Sequence, residues 1–432
     1  MSAPFSARLA LVARLLRAEG PRALVERWRD RRLDARRARR FALLAAPDGT
    51  PPPPAGARSA TLWVLPFPLQ RRRGGAAIQL LVRLEERATL EPVALLQRLP
   101  DRFRCELWGA GVERPAAREW PAGIAAEALA DFTFEPVLLA AARWVGATRL
   151  HFESLVDLPL ALPLEILRRG LPFGCSAHDF ALFCPRPHLV EVPRNRFCEF
   201  SIEPERCARC LAEEWTLPAS FQEERRATAA RLVGAADQVE FPSEYMRCEH
   251  LRLFPALDPA RARIVVPRSL EPEAHGAATT RRAVRRPPRR IAFAGAVHPH
   301  KGAHDFEAVV RSLSAAGRSD FDWHVFGGGD AECLRRLRRL PRTRVHGYYR
   351  AGSLPARLVE ARIDLVLLLS IWPEAHCLVL DECAAAGIPV VAYELGAPGE
   401  RIRANGWGEL VDPRAGVAGV AAVIAGIGER ID

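Results

Sequence analysis

Lysine is almost absent from this chain: of its 62 lysine and arginine residues 61 are arginine, and the exception is Lys301. The 432 residues also hold only two methionines, four tyrosines and very few asparagines. A composition this poor in residues of AT-rich codons points to a genome that supplies arginine wherever a generic positive charge will do. The net charge of +11 is therefore weak grounds for a nucleic-acid reading. Scarce tyrosine and the lack of an aromatic–basic stripe argue against a base-stacking platform, so no specific nucleic acid is expected. A polyanionic small-molecule substrate or an anionic membrane surface suits the charge equally well. No uncharged apolar run approaches the ~18 residues of a membrane span. Arg8, Arg14 and Arg17 interrupt the N-terminal apolar stretch, which excludes a convincing signal peptide. Ten cysteines without such a signal point to a reducing compartment and mostly free thiols. A cytoplasmic protein is expected, either free or peripheral at the inner face of the plasma membrane.

What is present is enough apolar residue, 49%, for two or three packed domains. Residues 1–50 read as a basic amphipathic segment and linker. Phe5, Leu9, Val12, Leu15 and Leu16 recur at helical spacing, Gly20-Pro21 breaks the helix, and a second one runs through Leu24, Val25 and Trp28 into an arginine-dense stretch. Residues 1–44 are either an interfacial helix pair on anionic headgroups or a pair packed on the body of the protein. Pro51–Pro54 form a stiff linker. Residues 55–280 and 290–432 each alternate short apolar strands with helices, the signature of a parallel sheet covered on both faces. Residues 281–290, rich in Arg and Pro, read as the hinge between them. The fold class expected is α/β: two doubly wound, Rossmann-like domains facing across a central cleft, beyond the carboxyl ends of the strands.

Lys301 stands where a lone lysine has a use. The apolar run Ile291–Ala294 ends in Gly295, and Lys301-Gly302 follows a short loop. Strand, glycine turn, lysine and helix form a geometry that holds phosphate, for which a compact ammonium fits where a guanidinium fork is too wide. The alternative is a surface lysine that survived by chance. Further on, Trp372-Pro373-Glu374-Ala375-His376-Cys377 leads into a helix that ends at Gly387, with Glu374 and Glu382 eight residues apart. A helix start offers free N–H groups to phosphate, and carboxylates accept from sugar and ribose hydroxyls. The two glutamates are otherwise ordinary solvated helix-start residues.

Taken together, the motifs resemble retaining glycosyltransferases of family 4, which have the GT-B fold. The Glu-x7-Glu spacing before Ala-Ala-Gly-Ile-Pro-Val-Val-Ala is similar to that family's donor-sugar motif. Gly295 with Lys301-Gly302 resembles its diphosphate loop, and Gly327-Gly328-Gly329 its turn near the nucleotide. Val345-His346-Gly347-Tyr348 resembles the segment bordering the base, while Gly396–Ile402 and Gly406-Trp407-Gly408 match the loop and turn that come next. The resemblance covers ~238–413. It implies that Lys301 neutralises the leaving diphosphate, Glu382 binds the ribose and Glu374 contacts the transferred sugar. It also implies that amides of Cys377, Leu378 and Val379 cradle phosphate, that His376 touches the sugar, and that no metal or other cofactor is required for transfer. Ala296 stands where the family has an arginine, which leaves Lys301 as the side-chain cation, with His298, His300 or Arg401 as helpers. Ala375-His376-Cys377 replaces the family's Gly-Phe-Gly.

The N-terminal half is expected to bind the acceptor. Gly74-Gly75 resembles the family's glycine-rich acceptor loop, or is a simple helix-start turn, and His151 ends a strand on the same side. Ala177-His178-Asp179 through Cys184-Pro185-Arg186 is similar to a family segment whose histidine reaches the reaction centre. His178 is either that residue or a strand-end histidine capped by Asp179. Cys184, Cys198, Cys207 and Cys210 are either buried thiols or a structural zinc set.

The function expected is retaining transfer of a sugar from a nucleotide donor to a glycan or lipid-linked acceptor, in bacterial surface-polysaccharide synthesis. Alternatives are a GT-B phosphorylase or epimerase, and a non-catalytic basic protein binding membrane or nucleic acid. The chain ends at Asp432, soon after the last expected strand, which leaves open a truncated chain or a different closure of the fold.

Overall fold

The structure, a computed structural model, describes residues 5–46, 58–69, 75–113, 115–121, 134–218, 220–267, 288–318 and 320–427. The chain forms two compact units that do not follow the sequence. One gathers Met1–Arg32, Arg194–Phe197 and Ser269–Asp432, and the other Leu33–Pro193 and Cys198–Arg268. The N-terminal segment expected at 1–50 is thus divided, its first part belonging with the C-terminal region.

The C-terminal unit is built on six parallel strands in the order 343–347, 322–326, 290–294, 365–368, 390–393, 408–411. Their apolar runs alternate between faces, as successive strand side chains must. Ile291, Phe293, Trp323, Val325, Leu365 and Leu367 pack with Phe306 and Val310 of the helix Ala303–Ala315 and with Ile424 of Gly416–Gly426. Ala292, Ala294, Phe326, Val366 and Leu368 pack with Leu358 of Leu354–Glu360 and Leu380 of Leu378–Ala386. Burial on both faces explains why these strands read as continuous hydrophobic runs.

The other unit departs from a purely parallel expectation. Its nine-stranded sheet has the order 45–46, 116–121, 102–109, 92–98, 61–65, 149–152, 173–176, 238–241, 262–264. Strand 102–109 is antiparallel to both of its neighbours. The sequence reading missed the flanking strands 92–98 and 116–121 and the helix Phe134–Val145. It also took Gly396–Ile402 for a loop. The structure has a helix there, Gly396–Asn405, with Pro398 in its first turn, where the missing N–H costs nothing.

Two helices, α1 (Phe5–Glu19) and α2 (Pro21–Leu44), are separated at Gly20, whose φ is +86°. Of the two readings left open for them, packing on the body is realised by an acidic face. Glu19, Ala23, Glu26 and Asp30 recur at helical spacing and are all less than 9% exposed. Glu19 pairs with Arg27 at 2.6 Å, Glu26 with the buried Arg357 at 3.3 Å, and Asp30 accepts from the Tyr348 hydroxyl at 2.5 Å. Val12, Leu16, Val25 and Trp28 remain exposed. Among the described residues no helix is long and apolar enough to cross a membrane.

Candidate functional site

In the C-terminal unit the expected donor residues gather at the carboxyl ends of the strands. Strand 290–294 ends at Gly295, and a short 3-10 turn, Pro299–Lys301, brings the lysine round. Gly302 closes that turn at φ +82°, and a Cβ there would lie 1.9 Å from the Leu369 carbonyl oxygen, so only glycine fits. Gly327 is as constrained: its φ is +143°, and a Cβ would meet the Gly295 carbonyl oxygen at 1.7 Å. Gly329 bridges to Val297 beside it. Lys301 and Glu374 meet directly. Lys301 Nζ lies 2.7 Å from Glu374 Oε2 and 5.2 Å from the centre of the Trp372 ring, and the Ser370 hydroxyl donates to the second oxygen of Glu374. Glu374 is 7% exposed. Burial pushes its pKa up, but the attraction of Lys301 and the hydrogen bonds of Lys301 and Ser370 outweigh it, so the carboxyl stays below its ordinary range and ionised.

Cys377 precedes the helix with φ +72°. This is the left-handed backbone that glycine adopts readily, and in a residue with a side chain it costs ~1–3 kcal/mol. Leu378 and Val379 open the helix, whose first N–H groups have no intrahelical partner. His376 and Arg401 are both tied to Asp381, a residue the sequence reading overlooked. His376 Nε2 lies 2.8 Å from Asp381 Oδ2, and Arg401 donates to the other Asp381 oxygen and, at 3.0 Å, to the His376 carbonyl. Arg401, one of the three helpers expected at the diphosphate, is thus paired with Asp381. The buried Nδ1 of His376 has no hydrogen-bond partner among the described residues. His298 and His300 stack on each other, ring centres 5.4 Å apart.

Tyr348 is already engaged. Its amide donates to Glu19 at 3.1 Å, and Arg27 lies 4.5 Å above its ring, so α1 and α2 line the segment expected to border a base. Glu382 accepts from the amide of Gly352 at 3.0 Å, and burial raises its carboxyl from an ordinary 4.5 to about 7. An acid with a raised native pKa lends stability that is complete below about 4.5 and is lost as pH rises through about 7. Glu382→Gln should therefore flatten the stability curve between those limits, measured by denaturant unfolding. Parallel curves for the two proteins would refute the assignment.

The other unit holds His178 and His151. Gly75 opens the helix Gly75–Ala88, while Gly74 lies outside the described residues. His151 is 1% exposed and bonds the Ser176 hydroxyl at 2.8 Å, so it faces inward rather than presenting itself to a ligand. His178 is held by Glu153 at 2.9 Å. The expected alternative, capping by Asp179, is not found, because Asp179 instead accepts from the Ala181 amide. Arg83 completes the group, donating to both oxygens of Glu240 at 2.5 and 2.9 Å. Burial drives His151 down to about 4, hence neutral. Burial opposes ionisation of Glu153, but His178, His151 and Arg83 overcome it and hold its carboxyl at about 2. Glu153 follows strand 149–152, and Ser176 and Glu240 lie in the next two strands of the sheet; no spacing in one sequence brings them together.

Cys184, Cys198, Cys207 and Cys210 line one small cavity with Arg226 and Glu191. Among the described residues no three His, Cys, Asp or Glu stand where they could hold a metal ion, so the expected zinc set is not assembled. Burial raises Cys184 to about 12 and also lifts Cys198.

The fold is the two-domain α/β architecture, with parallel sheets, of the GT-B glycosyltransferases. The chain is similar to sucrose-phosphate synthase of Thermosynechococcus elongatus: 16% identity, 85% of this chain and 90% of that one, TM-score 0.56. It is also similar to a glycosyltransferase of Rickettsia africae: 14% identity, 86% and 88%, TM-score 0.53. A third likeness is to Anabaena HepE in complex with UDP: 14% identity, 85% and 89%, TM-score 0.51. Residues 288–428 match the family model for glycosyl transferases group 1. No curated protein matches the sequence.

Proposed function

We propose that the chain is a glycosyltransferase that moves a sugar from a nucleoside-diphosphate donor, with retention of the anomer and without a metal, to a glycan or lipid-linked acceptor in bacterial surface-polysaccharide synthesis. The Lys301–Glu374 pair carries this reading: a lone ammonium and an ionised carboxylate meet at a glycine-lined strand end, beside a helix start. Departure of a nucleoside diphosphate builds negative charge, which Lys301 and the leading amides of Leu378–Ala386 would stabilise in place. Glu374, kept ionised, accepts hydrogen bonds from sugar hydroxyls and offsets positive charge at the anomeric carbon. The match of residues 288–428 to glycosyl transferases group 1 and the UDP bound by HepE support the donor class. The exposed Val12, Leu16, Val25 and Trp28, interleaved with arginine, support peripheral membrane contact through residues 1–44.

Screening nucleotides and nucleotide sugars for thermal stabilisation tests the reading. The right donor at 100 times its Kd should add ~2.7 kcal/mol, and Glu382→Ala should weaken the response. Lack of stabilisation by every compound would defeat it. Sugar release that depends on added acceptor glycan separates transfer from epimerisation.

A further inference from the structure

An open cavity of about 790 Å³ lies beside the Phe326 face of the C-terminal sheet, within the ~300–1,000 Å³ of small-molecule sites. Its arginine rim lies at the other end of the strands from Lys301 and Glu374, while Phe326 and His346 carry its lining up to Gly327 and the segment expected to border a base. Arg290 opens strand 290–294, Asp322 opens 322–326, Thr343 opens 343–347, and Arg362 shortly precedes 365–368, so its rim lies at the amino ends of the strands. Gly295, Gly327 and Tyr348 stand at the carboxyl ends.

Six arginines line this cavity, against two carboxylates: Arg22, Arg290, Arg342, Arg344, Arg357 and Arg362 face Asp322 and Glu360. Arginine is this chain's default cation, so its presence alone carries nothing; its convergence does. Arg342 is paired with Asp322 at 2.6 Å and Arg22 with Glu360 at 3.0 Å. The buried Arg357 is held by Glu26. No acidic side chain pairs with Arg290, Arg344 or Arg362 among the described residues. Between them His324 and His346 share a hydrogen bond of 2.9 Å and stack with Phe326. Burial first, and then the neighbouring histidine and arginines, hold His346 down to about 3, and burial also lowers His324. The histidines are neutral, as a net positive potential requires.

Like charges converging on a concave surface repel unless an anion offsets them. We propose that this cavity binds a phosphate-bearing anion, either a soluble phosphate ester or a lipid headgroup, with Arg290, Arg344 and Arg362 as its ligands. The planar guanidinium forks match phosphate oxygens two at a time. The proposal is independent of the function assigned to Lys301.

Calorimetric titration of the full chain with inorganic pyrophosphate, and co-sedimentation with phosphatidylglycerol or phosphatidylcholine vesicles, test it. Arg344→Ala and Arg362→Ala, both at exposed positions, should together weaken pyrophosphate or phosphatidylglycerol binding at least ~10-fold. Lys301→Ala should retain it. Response to pyrophosphate alone marks a soluble ligand, and response only to phosphatidylglycerol vesicles a lipid one. Measured in the Lys301→Ala background, so that the diphosphate site does not contribute, binding that survives the arginine substitutions overturns the proposal, as does binding of neither probe. Arg344→Lys, which keeps the charge but not the fork, should weaken binding less than Arg344→Ala. Equal loss in the two, with an unchanged melting temperature, would refute the charge-based account.

Discussion

Lys301→Ala is expected to lower kcat/KM for sugar transfer by ~10²–10³, or ~3–4 kcal/mol, the scale of losing one preorganised donor to developing charge. Lys301→Arg should also lose activity, which makes the result informative. With 61 arginines elsewhere, the chain plainly accepts guanidinium for ordinary positive charge. At position 301 the ammonium fits between Glu374, at 2.7 Å, and the Trp372 ring, in a turn closed by a glycine that nothing else can replace. A planar fork there would stay paired with Glu374 and reach the diphosphate poorly. In Lys301→Ala the buried Glu374 loses its cation, so its pKa should rise and residual activity should fall off at a higher pH than in the wild type. Steady-state kinetics with the donor found by screening would decide the matter. A fully active arginine variant would return Lys301 to coincidence.

Arg83→Met should cost the other unit ~3–5 kcal/mol, the usual penalty for leaving one member of a buried ion pair alone. Glu240 is 5% exposed and accepts two bonds from Arg83. Glu153, with its carboxyl held at about 2, lies 3.8 Å from the same guanidinium. Burial works against ionised Glu240, and Arg83 leads the groups that keep its carboxyl below the ordinary range. Without Arg83 that carboxyl must either stay charged and unpaired or take a proton. The stability gap between wild type and variant should therefore narrow as pH falls. Denaturant unfolding at several pH values reads both effects. A loss below about 1 kcal/mol, typical of surface pairs, would show that the network is solvated.

Much of the C-terminal unit was legible in the sequence. Strand 290–294 and helix Leu378–Ala386 fall at their expected positions because buried parallel strands are short apolar runs and glycine marks the ends. Lys301 and Glu374 were also legible, because a lone lysine and a spaced glutamate pair are local signals. Three features were not. The strands 92–98 and 116–121 pair through residues that the sequence reading passed over between two helices. The Arg83–Glu240–Glu153–His178 network joins residues up to 157 positions apart. The docking of α1 and α2 was hidden for a different reason. Hydrophobic periodicity points to Leu16, Val25 and Trp28, which are exposed, while the face that binds is carried by Glu19, Glu26 and Asp30.

That acidic face bears on how the protein is made. Glu26 and Asp30 leave the ribosome well before their partners Arg357 and Tyr348, which lie 331 and 318 positions later. At ~5–20 residues per second, the helix pair waits roughly 16–66 s for the surface it completes. For that interval its carboxylates are solvated and Ala23 is uncovered. A copy of that unit begun at residue 288 would carry the same sheet but leave Arg357 buried without its carboxylate, and should be correspondingly less stable than in the full chain.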